Sequence, residues 1–325
     1  MIPLVSVNCA TYNHEDYIAE AIEGFLLQKT NFEFEILIGE DCSTDGTREI
    51  VKEYANLFPS KIRLITSDQN VGAAENFYRL HQNSKGKYIA LCEGDDYWLD
   101  PLKLQKQVDY MEQHPNCTLC FHNGEVLEAN SNKLSRKIIP WLKENRKYYR
   151  RENVIYSAGE IALLGYIPTA SYLYPKHLLN NLPEWCFHSV VGDNVIKLIT
   201  ASHGYAYYMD EAMSVYRFGV PGSATTNWEK ENNTIEKQIK HNQGFIDLFD
   251  NFNNYSNFKY EKEIEQAKKI FEFQILVIRG EWKSIKNLKY EELFKELSIR
   301  VKVSTYIKCY FPQAFRILRK FRKVY

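Results

Sequence analysis

Within its first 115 residues the chain alternates repeatedly between short β-favouring apolar runs and segments whose apolar residues recur at helical spacing. The apolar runs are Leu4 to Cys9, Phe34 to Ile38, Ile62 to Thr66 and Tyr88 to Cys92. Between them lie helical patterns carrying Tyr17, Ile18, Ala21, Ile22, Phe25 and Leu26, then Ile50, Val51, Tyr54 and Leu57, then Phe77 and Leu80. Alternation of this kind predicts an α/β domain with a mostly parallel sheet flanked by helices. In such sheets ligands bind beyond the carboxyl ends of the strands. Those positions hold Thr11, Tyr12 and Asn13, then Glu40 and Asp41, then Glu93, Gly94, Asp95 and Asp96.

Local signals refine this reading. Asn13 is expected to cap the first helix, with Glu15 and Asp16 in its positively polarised first turn. The second helix should end before Pro59. A further helix spans about 102–113 and a strand Cys117 to His122. The polar, basic stretch from Glu128 to Glu152 reads as a loop or flap. A helix near 159–164, a strand near 171–174, a helix near 193–201 and a strand near 213–218 follow. From Asn227 onward helical periodicity dominates, which sets a boundary near residue 226 and predicts a helical extension over 227–325. The first domain then divides into halves of about 1–115 and about 116–226.

Composition narrows the classes. Lysine plus arginine equal aspartate plus glutamate at 41 each, which argues against a general polyanion-binding surface and a nucleic-acid partner. No secretory leader pattern and no run of about 18 apolar residues is evident, so a cytoplasmic location is expected. The seven cysteines are widely spread and mostly lie in apolar runs, as suits reduced thiols. Cys117 and Cys120 have CxxC spacing, but a strand sends them to opposite faces and no second pair completes a zinc site.

The acidic cluster has two readings. Adjacent Asp95 and Asp96, with Glu93 before them, repel one another unless a cation lies between, and magnesium or manganese is held by one or two carboxylates plus substrate phosphates. The other reading is an exposed acidic turn. Asp41 either accepts a hydrogen bond from the N3–H of a uracil or thymine ring, or initiates an ordinary turn. Tyr12 either stacks on a base or covers the core edge, and Tyr97 and Trp98 either line the apolar face of a ligand or pack inside.

The segments VSVNCATYNHEDYIAEAI, EILIGEDCSTDGT, NVGAAENF and GKYIALCEGDDYWLDPLKL, in this order, resemble the donor-binding half of the family 2 glycosyltransferases. That family has the GT-A fold, a Rossmann-like sheet. The resemblance implies that Thr11, Tyr12 and Asp41 lie in the nucleotide site, that Asp95 contacts the ribose or metal, and that Asp96 holds the manganese or magnesium bridging the donor diphosphate. The later segments GDNVIKLITASHG and YMDEAMSVYRFG are similar to the family's acceptor side, where Asp193 takes the place of the catalytic base. The plainer reading of Asp193 is a helix-terminal aspartate favoured by the dipole. Where the family often has a histidine two residues after a Tyr-Arg pair, Tyr216 and Arg217 are followed by Phe218 and Gly219, so a third protein ligand is in doubt. Arg217 either contacts the diphosphate or pairs with a carboxylate.

The expected activity is inverting transfer from a nucleotide-diphosphate sugar, a UDP-sugar first, to a glycan or lipid-linked glycan hydroxyl in polysaccharide assembly. The alternative is a catalytically silent nucleotide-sugar-binding subunit. A nucleotidyltransferase is disfavoured because no glycine-rich basic loop follows the first strand, and a dinucleotide oxidoreductase because no GxGxxG does. After Glu296 there is no acidic residue, while arginine and lysine accumulate. Phe315, Leu318 and Phe321 share one helical stripe, so residues 313–325 either contact an anionic membrane, placing the protein peripherally on the inner face of the plasma membrane, or dock on their own domain.

Overall fold

The computed structural model describes residues 2–128, 134–137, 152–189, 192–223, 226 and 234–313. The chain divides into two compact units, Met1–Asn227 and Trp228–Tyr325.

In the first unit the alternating elements are strand β1 (Val5–Thr11), helix α1 (Ile18–Leu26), β2 (Phe34–Glu40), α2 (Thr47–Leu57), β3 (Ile62–Thr66), α3 (Ala73–Asn83), β4 (Tyr88–Leu91), β5 (Tyr97–Trp98) and α4 (Lys103–Gln113). They are followed by β6 (Cys117–Glu128), β7 (Leu134–Lys137), β8 (Val154–Tyr156), α5 (Ala158–Leu164), β9 (Leu173–Pro175), α6 (Gly192–Ser202) and β10 (Tyr205–Phe218). Among the described residues they build one sheet in the order β3-β2-β1-β4-β9-β6-β10-β5, with β7 beside β6 and β8 beside β10.

The expected parallel arrangement holds for β3-β2-β1-β4. The second half is mixed. Strand β9 runs antiparallel to both β4 and β6, and β10 then pairs parallel with β6. Two reversals restore the original direction, so β1, β2, β3, β4, β6 and β10 all deliver their carboxyl ends to one edge. This brings Arg217, at the end of β10, beside the acidic cluster that follows β4.

The core lies where both sheet faces are covered. Val5, Val7 and Cys9 alternate with Ile36 and Ile38 beneath Ile18, Ile22 and Phe25 of α1, all fully buried. Each such side chain contributes roughly 1.5–3 kcal/mol by leaving water. Trp98 belongs to this core: its ring meets Phe25 edge-on at 4.8 Å, and its indole N–H donates to the Ala170 carbonyl at 2.9 Å. It is 3% exposed, so of the two readings the packing one holds.

Three local expectations change. Asn13 does not cap α1: its φ is 56°, its Oδ1 accepts from the Thr44 N–H at 2.8 Å, and its own N–H donates to Ser43 Oγ at 3.0 Å. The residue stitches the β1 and β2 loops together, and the helix begins five residues later. Glu15 likewise accepts from the Gly46 N–H at 2.7 Å instead of entering the helix. Residues 134–137 form β7 within the stretch read as a loop; its neighbours 129–133 and 138–151 lie outside the described residues. Strand β10 starts at Tyr205, well before Met213, because its register with β6 shifts between Met209 and Ser214. Asp210 and Glu211 fall in that bulge, where extra residues leave the ladder without ending the strand.

The second unit, among its described residues, is helical: α7 (Ile235–Tyr255), α8 (Glu261–Arg279), α9 (Trp282–Ile285), α10 (Glu291–Glu296) and α11 (Ile299–Tyr310). Phe245 stacks on Phe271 at 4.3 Å, and Phe273, Ile285 and Tyr290 form a small core. Gly280 ends α8 at φ 77°, a left-handed cap that glycine accepts without Cβ strain.

Candidate active site

The strand ends are tied to one another by backbone bonds. The Asp41 N–H donates to the Thr11 carbonyl at 3.1 Å, and the Gly94 N–H to the Ala10 carbonyl at 3.0 Å. Gly94 has no room for a side chain: a Cβ would fall 2.6 Å from Thr11 Oγ1 and 2.9 Å from His14 Nδ1. Glycine lets the acidic turn fold flat against the β1 loop.

Asp41 is almost wholly buried. Its Oδ1 accepts from the Val71 N–H at 2.8 Å and Ser67 Oγ at 3.2 Å, and its Oδ2 from the Gly72 N–H at 2.9 Å. It shapes the loop between β3 and α3. Neighbouring Glu40 accepts from the Ser43 N–H at 2.6 Å and pairs with Arg48 at 2.5 Å, fixing the loop after β2. Tyr12, by contrast, is 40% exposed at the same edge.

The three acidic side chains after β4 occupy different environments. Asp96 is buried, and its Oδ1 accepts from the Arg217 N–H at 2.9 Å. Burial and the charges of Asp95 and Glu93 push its carboxyl well above the usual range. Glu93 is pushed up to about 8 by burial, then by Asp95 and Asp193. Asp95 is the more open of the aspartates, and its Oδ2 lies 3.9 Å from His14 Nε2. Burial holds the His14 imidazole below its ordinary pKa, against the opposing pull of Asp95.

Arg217 closes the cluster. Its guanidinium donates to the Asp95 carbonyl at 2.7 Å, pairs with Glu20 of α1, and lies 4.5 Å from the Tyr97 ring centroid and 5.1 Å from that of Tyr17. It therefore pairs with a carboxylate, one of the two roles open to it in the sequence, and organises the turn.

Asp193 sits in the first turn of α6, with Asn194 Nδ2 donating to its Oδ1 at 3.2 Å. Four residues on, buried Lys197 donates to the Gly165 carbonyl at the end of α5; burial lowers its pKa to about 8, opposed by the charge of Asp193. Tyr166 is half-buried near both carboxylate groups: its phenol is raised by burial and then by Tyr216, Asp96, Glu93 and Asp193. Its ring lies 5.4 Å from Tyr216. The acidic cluster after β4 and the carboxylate of α6 are thus close enough for their charges to act on one another and on Tyr166.

Residues 6–164 match the family described as Glycosyl transferase family 2. The first unit belongs to glycosyl transferase family 2. An uncharacterized protein of Mycobacterium tuberculosis is 37% identical over 196 residues, covering 55% of this chain and 56% of its own. The glucosyltransferase WfgD of Escherichia coli, which uses UDP-Glc and a GlcNAc-diphosphoundecaprenol, is 32% identical over 128 residues, 39% of this chain and 48% of its own. The chain spans about half the length of these curated relatives. Two solved structures share the GT-A fold. The TarS 1–349 fragment of S. aureus in complex with UDP-GlcNAc has TM-score 0.55 at 15% identity, covering 94% of this chain and 79% of that one. The mannosyltransferase PcManGT of Pyrobaculum calidifontis, in complex with GDP-Man and Mn2+, has TM-score 0.54 at 15% identity, covering 98% and 83%.

In this family 2 unit the edge brings together Thr11, Asp95, Asp96 and Arg217; Tyr12 is exposed on the adjoining loop, whereas the Asp41 carboxylate is buried against Ser67, Val71 and Gly72. His14, Glu20, Tyr166 and Tyr216 also belong to the site. His14 stands beside the motif residues in sequence, but only the fold of the Gly94 turn places it against Asp95. Among the described residues no three His, Cys, Asp or Glu side chains are arranged to hold a metal by themselves. Hard oxygen donors at Asp95 and Asp96, where burial and the charges of Asp95 and Glu93 push the Asp96 carboxyl up, nevertheless suit a divalent cation that completes its shell with phosphate oxygens.

Proposed function

We propose that this protein is an inverting glycosyltransferase, taking a sugar from a nucleotide-diphosphate donor to an acceptor hydroxyl in polysaccharide or glycan assembly. The observation that carries the reading is that the charge of Asp193, in the first turn of α6, reaches Glu93 of the acidic turn after β4. Tyr12 and Asp41 bind the nucleobase, and Thr11 supports the turn beneath the ribose. Asp95, as the open carboxylate, is the principal residue for manganese or magnesium, with Asp96 behind it. When bound, the cation supplies positive charge to the departing diphosphate. Arg217 holds the turn in register.

Asp193 accepts the proton of the acceptor hydroxyl as its oxygen attacks the anomeric carbon from the face opposite the diphosphate, inverting the configuration. A UDP-sugar is the first donor to test, in keeping with the donors of WfgD and TarS, and a lipid-linked glycan is the first acceptor to test, in keeping with WfgD. The test is release of nucleoside diphosphate from UDP-, TDP-, GDP- and CDP-sugars with manganese and a diphosphoundecaprenol-linked glycan. Release with one donor supports the reading; a tightly bound donor with no release under any acceptor would favour the silent-subunit alternative.

A further inference from the structure

Helix α11 presents Ile299, Val303, Tyr306 and Tyr310 at spacings of four, three and four, which places them on one stripe. A helix buried in its own domain turns such a stripe inward. Here the stripe faces out: Ile299 is 80% exposed, Val303 51%, Tyr310 44% and Tyr306 42%, and Phe311 continues it. The other side of the helix is already committed. Thr305 is buried, the Lys308 stem packs where a Gly280 side chain would be, and the Lys308 ammonium donates to the Ile278 carbonyl. Trp282 meets Tyr306 edge-on at 5.2 Å, and Tyr306 meets Tyr310 at 4.8 Å, so the outward stripe is backed by an aromatic ledge.

Charge identifies the occupant. With about 100° per residue, Arg300 and Lys302 flank the stripe on opposite sides. From Leu297 to Tyr325 the sequence has eight lysines and arginines and no acidic residue. A second copy docked symmetrically on this stripe would set Arg300 and Lys302 against their own equivalents, a like-charge contact that disfavours pairing. An anionic bilayer satisfies both features at once: the apolar stripe enters the acyl boundary, the tyrosines and Trp282 sit at headgroup level, and exposed Arg300 meets lipid phosphates, while Lys302, donating to the Lys295 carbonyl at 3.2 Å, adds positive charge on the other flank. At twelve residues the helix lies in the interface plane, since among the described residues no helix is long and apolar enough to cross a membrane.

We propose that α11 is a membrane-docking helix for anionic lipid surfaces, independent of the transferase reading. The test is co-sedimentation of the full chain with phosphatidylcholine vesicles and with vesicles containing phosphatidylglycerol, for wild type, Ile299→Asn/Val303→Asn and Arg300→Glu. Wild type should pellet only with the anionic vesicles, and each variant should lose at least about tenfold in vesicle affinity, because apolar insertion and charge act together. Ile299 and Arg300 are exposed, and unchanged melting curves would show that the fold is intact. Should the double variant melt earlier, Arg300→Glu alone carries the test. Three outcomes overturn the proposal: no wild-type binding, equal binding by the variants, or a wild-type dimer that the variants dissociate.

Discussion

The backbone N–H of Arg217 donates to Asp96 Oδ1 at 2.9 Å, joining the end of β10 to the acidic turn across 121 residues of sequence. The contact exists because β6, antiparallel to β9, restores the strand direction set by β1 to β4, and β10 runs parallel to β6. One half of the sheet thereby fixes the carboxylates of the other.

Arg217→Ala should destabilise the first unit by about 2–4 kcal/mol, combining lost charged hydrogen bonds with lost contact to the rings of Tyr17 and Tyr97. Arg217→Lys should recover only part of this, since an ammonium cannot reach Glu20 and the Asp95 carbonyl in one plane. Urea denaturation of the three proteins checks both.

Gly94→Ala should cost roughly 1–3 kcal/mol and weaken nucleotide binding, because the added methyl drives the turn away from Thr11 and His14. Chemical denaturation and nucleotide titration on the same variant separate the two effects. Unchanged behaviour in both would show that the turn has slack.

Lys103 gives a pH signature away from the site. Its ammonium is buried, donates to Gln107 Oε1 at 2.8 Å and lies 4.0 Å from the Trp98 ring centroid, and burial lowers its pKa to about 7. A lysine depressed in the folded state binds fewer protons there than in the unfolded chain between that value and its ordinary one, so its contribution to stability rises with pH across about 7 to 10.4. Below pH 7 both states are charged and the penalty of burying the ammonium is complete. Lys103→Met should flatten this slope in urea midpoints measured from pH 6.5 to 10.

Much of this was legible in the sequence, and the limits have physical causes. Ile62–Thr66 matches its expected span because an apolar run between turn residues leaves little choice. Strands β6 and β10 were read short, since Asn123-Gly124 and Asp210-Glu211 look like turns. In the sheet Asn123 Oδ1 accepts from the Gly124 N–H at 2.9 Å and its Nδ2 donates to Asp210 Oδ1 at 3.2 Å, so polar residues satisfy one another inside the ladder. Asn13 has the chemistry of a cap, but its side chain is used by the neighbouring loop. The acidic cluster and Asp193 stand out as motifs; the approach of Tyr166 and Tyr216 to them depends on contacts between segments distant in sequence. The basic tail from 314 lies outside the described residues, whereas the spacing of the α11 stripe fits a buried face as well as an exposed one, and only the fold distinguishes them.

Asp193→Asn should lower kcat by about 10^2 to 10^4-fold, the usual share of a general base, while leaving donor affinity within about twofold. Steady-state transfer kinetics together with donor titration checks this, and unaltered turnover would remove Asp193 from the mechanism.

The most direct measurement of the central claim is calorimetric titration of UDP, with and without manganese, into wild type and Asp95→Asn. The account expects binding that manganese strengthens at least about tenfold, or 1.4 kcal/mol, in wild type and not in the variant. Manganese-independent binding, or equal enhancement in Asp95→Asn, would contradict a metal-assisted donor site at this turn.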